Sequence, residues 1–88
     1  MSKTRYTVAE DIFRNLLKEA RVATNLTQSD VAKSLGLPQS YVSKYESGER
    51  RLDFIETTLV CKALGMSIED FAAAYSDRLA KARRGKGG

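Results

Sequence analysis

Apolar residues recur along this chain at helical spacing. Ile12, Phe13, Leu16, Leu17, Ala20 and Ala23 stand at i, i+1, i+4, i+5, i+8 and i+11, one stripe of a 3.6-residue period with a charged face opposite. The stripe predicts a first helix over about residues 8–24. Val31, Ala32 and Leu35 repeat the pattern over about 28–35, a helix of two turns that is too short to persist unless it docks on neighbours. After a third, short helix, a fourth is expected over about 54–64, with Phe54, Thr57, Val60, Cys61 and Leu64 as its inner stripe. A fifth is expected over about 68–80, with Ile68, Phe71, Ala72, Tyr75 and Leu79. Ile55, Leu59, Tyr75 and Leu79 exceed what so small a core needs, so they either pack as a satellite within the monomer or contribute to a homodimer contact.

The punctuation agrees with the stripes. Four segments open with a capping residue followed three positions later by an acid: Thr7 with Glu10, Thr27 with Asp30, Asp53 with Glu56, and Ser67 with Asp70. At each, the cap oxygen accepts from amides left unpaired at a helix start, and the acid suits the positive end of the helix. Asn25, Gly36, Gly48 and Gly65 stand at the expected ends, where a left-handed residue closes a helix. No strand pattern competes, and the fold class expected is all-α with five helices.

Residues 27–48, TQSDVAKSLGLPQSYVSKYESG, read as one unit: a short amphipathic helix, a turn centred on Gly36, and a second short helix stopped by Gly48. That is the spacing of a helix-turn-helix. To fix the crossing of its two helices the unit must bury Val31, Ala32, Leu35, Leu37, Val42 and Tyr45, which leaves Gln39, Ser40, Ser43 and Lys44 facing outward. Gln donates and accepts together and suits an adenine edge, Ser suits bases or phosphates, and Lys suits guanine or phosphate. No acid occurs from Pro38 to Tyr45.

Composition narrows the possibilities further. With 88 residues, 42% hydrophobic and 30% charged, the chain has the balance of one globular domain with a thin stability margin, which a second copy or a nucleic-acid partner would widen. A single cysteine, Cys61, and no histidine leave no disulfide framework and no metal-ligand cluster. Without an assembled nucleophile, base, metal site or phosphate loop the chain is not expected to be an enzyme, and no cofactor is expected. Cys61 reads as a small core residue. No leader-like or membrane-spanning apolar run occurs, so a cytoplasmic protein is expected, with no membrane partner. The net charge of +4 is not spread evenly. Residues 1–75 carry ten basic and ten acidic side chains, and the whole excess falls on Arg78, Lys81, Arg83, Arg84 and Lys86. The tail containing them is expected to be a solvated, flexible terminus or a phosphate-binding extension.

The segment LTQSDVAKSLGLPQSYVSKYESGERRLD, followed by CKALGMSIEDF, resembles the DNA-binding domain of the phage repressor and Cro family, the xenobiotic-response-element type of helix-turn-helix. The likeness covers about residues 9–75 and rests on four signatures in order: the T-Q opening of helix two, the A-x-x-L-G turn, the S-K-Y-E-x-G close of helix three, and the A-L-G-M-S turn. It implies a compact five-helix lambda-repressor-like domain with the helix-turn-helix at about residues 28–47. The organisation expected is an arm over 1–6, the domain over 7–77 and the basic tail over 78–88.

The resemblance implies roles for particular residues. Gln28 would touch a phosphate at the start of helix two. Gln39, Ser40 and Lys44 would reach base edges, and Tyr41 and Ser43 would reach bases or flanking backbone. Arg50 and Arg51 would meet the sugar-phosphate strand. Glu46 would pair with Arg21 as a structural contact. The sequence departs from the family at Pro38, where relatives have a Ser or Thr cap, so helix three is expected to start at Pro38 with Leu37 as a poor cap. It also has Asn25 where relatives often have Gly, and Asn tolerates the same left-handed conformation.

The function implied is a sequence-specific transcription regulator, a repressor or activator, that binds double-stranded DNA as a homodimer on a palindromic operator and meets polymerase there. An alternative from a different class is an antitoxin that sequesters a toxin and regulates its own synthesis through the same domain.

Overall fold

Two helix starts are closed by reciprocal capping. The Thr27 hydroxyl accepts from the Asp30 amide at 3.0 Å while the Asp30 carboxylate accepts from the Thr27 amide at 2.9 Å. Asp53 and Glu56 make the same exchange at 2.7 and 2.9 Å. At Ser67 half of the motif forms, with the hydroxyl accepting from the Asp70 amide at 3.0 Å. In the computed structural model, which describes residues 7–87 and the side chains of residues 8–83, these caps start three of five helices. The helices are α1 (Thr7–Ala23), α2 (Gln28–Leu35), α3 (Gln39–Ser47), α4 (Phe54–Ala63) and α5 (Ile68–Gly87). The expected arm over 1–6 and the capping side chain of Thr7 lie outside the described residues. No strand occurs among the described residues.

The stripes meet in one core. Leu17 of α1, Val31 of α2, Val42 of α3, and Val60 and Cys61 of α4 are completely shielded from solvent, and Leu16, Ala32, Tyr45, Leu64 and Phe71 are nearly so. Phe13 of α1 meets Phe71 of α5 edge to face, with ring centroids 5.5 Å apart, which ties the first and last helices together. Thr57 is also buried in this core, and its hydroxyl donates to the Asp53 carbonyl at 2.7 Å. The packing leaves α2 and α3 side by side at one end of the domain, with α1 behind α3 and α4 behind α2.

Several local expectations are corrected, among them Ala23 and Ala72, which were expected on the inner stripes of α1 and α5 and are exposed. Helix three starts at Gln39, and Pro38 is itself the cap, in an extended conformation (φ −67°, ψ 153°) that offers no side-chain acceptor. Leu37 is 42% exposed, because the left-handed Gly36 turns the chain outward and only the Leu37 amide folds back, onto the Ala32 carbonyl at 3.0 Å. Phe54 is 71% exposed. It sits at the first position of α4, a turn before the stripe reaches the helices that cover Thr57, Val60 and Cys61. Finally, α5 does not stop near residue 80 but continues to Gly87, through most of the expected tail. That segment is rich in Ala, Lys and Arg, strong helix formers, and Lys81 pairs with Asp77 one turn back at 3.2 Å. Tyr75 and Leu79 are half-buried in the monomer, whereas Ile55 and Leu59 stay open at 69% and 53% exposure.

No helix among the described residues is long and apolar enough to cross a membrane. Nor does any group of three His, Cys, Asp or Glu side chains among them come together as a metal site.

Candidate nucleic-acid interface

The inner side of α3 is anchored by Val42 and Tyr45, both buried, and the Tyr45 ring meets Tyr41 edge to face at 5.8 Å. Burial pushes the Tyr45 hydroxyl well above its ordinary pKa, so the ring stays a neutral core residue. With that side inward, Gln39, Ser40 and Lys44 are exposed, and Ser43 and Tyr41 are half-buried. The helix ends at Gly48, whose φ of 92° lies in the left-handed region. The left-handed turn favours glycine there, and a Cβ would also sit 3.3 Å from the Arg14 guanidinium carbon, which would have to give way slightly.

A chain of polar contacts runs from α1 to the outer face of α3. Arg21 Nε donates to Glu46 Oε2 at 2.7 Å and Arg21 Nη2 donates to Glu46 Oε1 at 3.0 Å. The two side chains are only 12% and 5% exposed. The carboxylate raises the Arg21 pKa further, so the guanidinium is permanently charged. Arg21 Nη1 also donates to the Leu26 carbonyl at 2.9 Å, holding the turn before α2. Glu46 Oε1 in addition accepts from Gln28 Nε2 at 3.0 Å, and Gln28 Oε1 accepts from Gln39 Nε2 at 2.9 Å. The first residue of α2 and the first residue of α3 are therefore bonded to each other, and the pair is referenced to a shielded ion pair. Such a fully satisfied network fixes side-chain positions more firmly than any of its members alone.

The connection after α3 is arranged differently. Arg50 stacks over the Tyr41 ring, 4.8 Å from its centroid, and bonds the Glu56 carboxylate. Arg51 is 77% exposed and pairs with Glu10 of α1 at 2.7 Å. Arg14 pairs with Asp11, and its Nη1 donates to the Glu46 carbonyl at 3.4 Å. Around these residues lies an open cleft of about 240 Å³, floored by Phe13, Leu52 and Tyr75.

The expected residues thus fall on one end of the molecule with unequal freedom. Gln39, Ser40 and Lys44 are solvent-facing, Gln28 has both ends of its amide engaged within the chain, and Tyr41, Arg50 and Arg51 each have an intramolecular partner. Glu10, Arg14 and Glu56 were not anticipated in this neighbourhood. Glu10 and Glu56 carry only a capping signal in the sequence, and the contacts that bring Glu10 and Arg14 here, to Arg51 and to the Glu46 carbonyl, join positions distant along the chain.

Comparison with known proteins places the fold in a family. A family model described as helix-turn-helix matches residues 17–71. A solved XRE-family like protein from Pseudomonas syringae pv. tomato str. DC3000 is 38% identical, with a TM-score of 0.80, over 88% of this chain and 94% of that one. The chain belongs to the XRE-type helix-turn-helix family. This helix-turn-helix protein is also similar to the restriction-modification controller protein C.Esp1396I, solved as a tetramer with its natural 35 base-pair operator, at 25% identity and a TM-score of 0.73 over 78% of this chain and 91% of that one. The controller protein C.AhdI from Aeromonas hydrophila is 29% identical, with a TM-score of 0.65 over 70% of this chain and 94% of that one. No curated protein sequence matches the chain.

Proposed function

We propose that this chain is a sequence-specific DNA-binding transcription regulator of the cytoplasm, which lays α3 in the major groove and binds as a homodimer to two half-sites about one helical turn apart. The observation that carries the reading is the outer face of α3. It presents Gln39, Ser40 and Lys44 without an acid, and Gln39 is held by Gln28. An amide fixed in this way needs little further ordering before it meets a base edge, and preorganisation is what separates a reading side chain from a solvated one. Lys44 supplies charge on the same face, and Arg50 and Arg51 follow on the connection to α4, where a sugar-phosphate strand would run. The operator complex of the similar controller protein supports the same reading.

The apolar surface of α4 supports a second copy. Phe54, Ile55 and Leu59 are each more than half exposed on a single short helix, more than an isolated small domain gains by displaying. Selection of bound fragments from a pool of random duplexes tests both halves of the proposal. Enrichment of an inverted repeat is expected, because a two-fold dimer imposes its symmetry on the site. A pool that never departs from random would end the reading.

A further inference from the structure

Both arginines of the α3–α4 connection are engaged before any nucleic acid arrives. Arg51 holds Glu10 at 2.7 Å and Arg50 bonds Glu56. Neither carboxylate is buried, since the Glu10 side chain is 43% exposed and that of Glu56 is 29% exposed. Ion pairs in such positions add little to the stability of a fold. Their consequence lies elsewhere. An arginine that already holds a carboxylate must release it before it neutralises a phosphate, and the released carboxylate then faces the strand with like charge.

We propose that Glu10 and Glu56 compete with DNA phosphate for Arg51 and Arg50, and so set the affinity and salt dependence of the interface. The inference rests on the DNA-binding reading above. Of the two pairs, Glu10 with Arg51 is the looser. Both residues border the open cleft between α1 and the α3–α4 connection, so Arg51 can leave Glu10 without displacing a packed neighbour. Arg50 is more constrained, because the Tyr41 ring lies 4.8 Å beneath its guanidinium and because Glu56 also accepts the Asp53 amide in the α4 cap. The charge pattern of the chain gives the competition a purpose. With acids and bases balanced over residues 1–75, the domain lacks the strong positive field that would hold it on any duplex, and the paired acids keep its arginines from restoring one.

The test uses the full chain, a random-sequence duplex and a titration of monovalent salt. Glu10→Gln keeps the size of the side chain and removes its charge at an exposed position, and circular dichroism would establish that the fold is unchanged. The variant should bind the duplex roughly threefold more tightly at low salt. The slope of log affinity against log salt should steepen by about 0.9, the value of one additional neutralised phosphate. In an Arg51→Ala background the same substitution should bring no gain. If Glu10→Gln leaves affinity unchanged, the competition does not exist. If its gain persists undiminished without Arg51, the effect is a change of net charge and the proposal falls. A parent protein that binds no duplex at all would instead overturn the DNA-binding reading, and this inference with it.

Discussion

Arg21 and Glu46 form a two-bond pair, at 2.7 and 3.0 Å, that joins the last turn of α1 to the last turn of α3. Because both side chains are largely removed from water, loss of one partner strands the other. Arg21→Ala should destabilise the domain by about 3 kcal/mol, read as a lower urea midpoint with an unchanged slope. Replacing both residues together, as Arg21→Met with Glu46→Leu, should restore much of that loss, since no buried charge is then left unpaired. Similar instability of the double variant would mean that the pair does not govern this packing.

The bond from Gln39 to Gln28 makes a separate prediction about recognition. Gln39→Ala should cost roughly 1–3 kcal/mol on the selected site and relax preference at one base position. Gln28→Ala should relax the same position, because it frees Gln39 to sample other rotamers, and the two substitutions should be less than additive. Binding measured against duplexes varied at each position would show it. Independent effects at different positions would break the link.

These two relationships differ in how legible they were. The α2 start, the Gly36 turn and the Gly48 stop are written in residues whose local chemistry permits little else, and all three stand where the spacing put them. The Arg21 partner of Glu46 is legible only through family likeness, since no local rule joins positions 25 apart. The Gln28–Gln39 bond crosses a turn between two helices, and only the packed crossing angle brings the amides together. Helix periodicity also says nothing of where coverage ends, which is why Phe54 lies on the inner stripe by spacing and yet is exposed. It was equally silent on the last turns of α5, because the sequence from Lys81 to Gly87 has no apolar stripe to find.

The acid limb of stability should carry the signature of the α2 cap. The Thr27 amide, then the Thr27 hydroxyl, hold the Asp30 carboxyl below its ordinary pKa. A carboxyl lowered by folding contributes stability above its unfolded pKa, and that contribution is lost as pH falls through the folded value. The parent should therefore exceed Asp30→Asn in urea midpoint near neutrality, and the two should converge as pH falls below the lowered pKa of the folded carboxyl. A constant difference across that range would assign the effect to geometry and not to charge.

The exposed side of α4 predicts an assembly phenotype. Leu59 is 53% exposed, so Leu59→Glu should leave the monomer folded while placing a charge in any contact made through α4. Sedimentation should then show half the parent mass, with weaker binding to a two-half-site duplex. An unchanged mass would remove α4 from the interface.

The cap of α3 allows stability and binding to be separated at one residue. Pro38 occupies a cap conformation but cannot accept from the amides that follow it. Pro38→Ser would add that acceptor, a gain of about 1 kcal/mol. It would also give back most of the entropy that proline removes from the unfolded chain, a loss of similar size, so its net effect should be small. Pro38→Asp makes the same cap and adds favourable charge at the helix start, so it should be at least as stable as the serine variant. It also places an acid at the edge of a face that has none from Pro38 to Tyr45. If that face meets DNA, Pro38→Asp should bind duplex markedly less well than Pro38→Ser despite its stability, with the deficit shrinking as salt is raised. Equal binding by the two variants would mean that the start of α3 lies away from the phosphates.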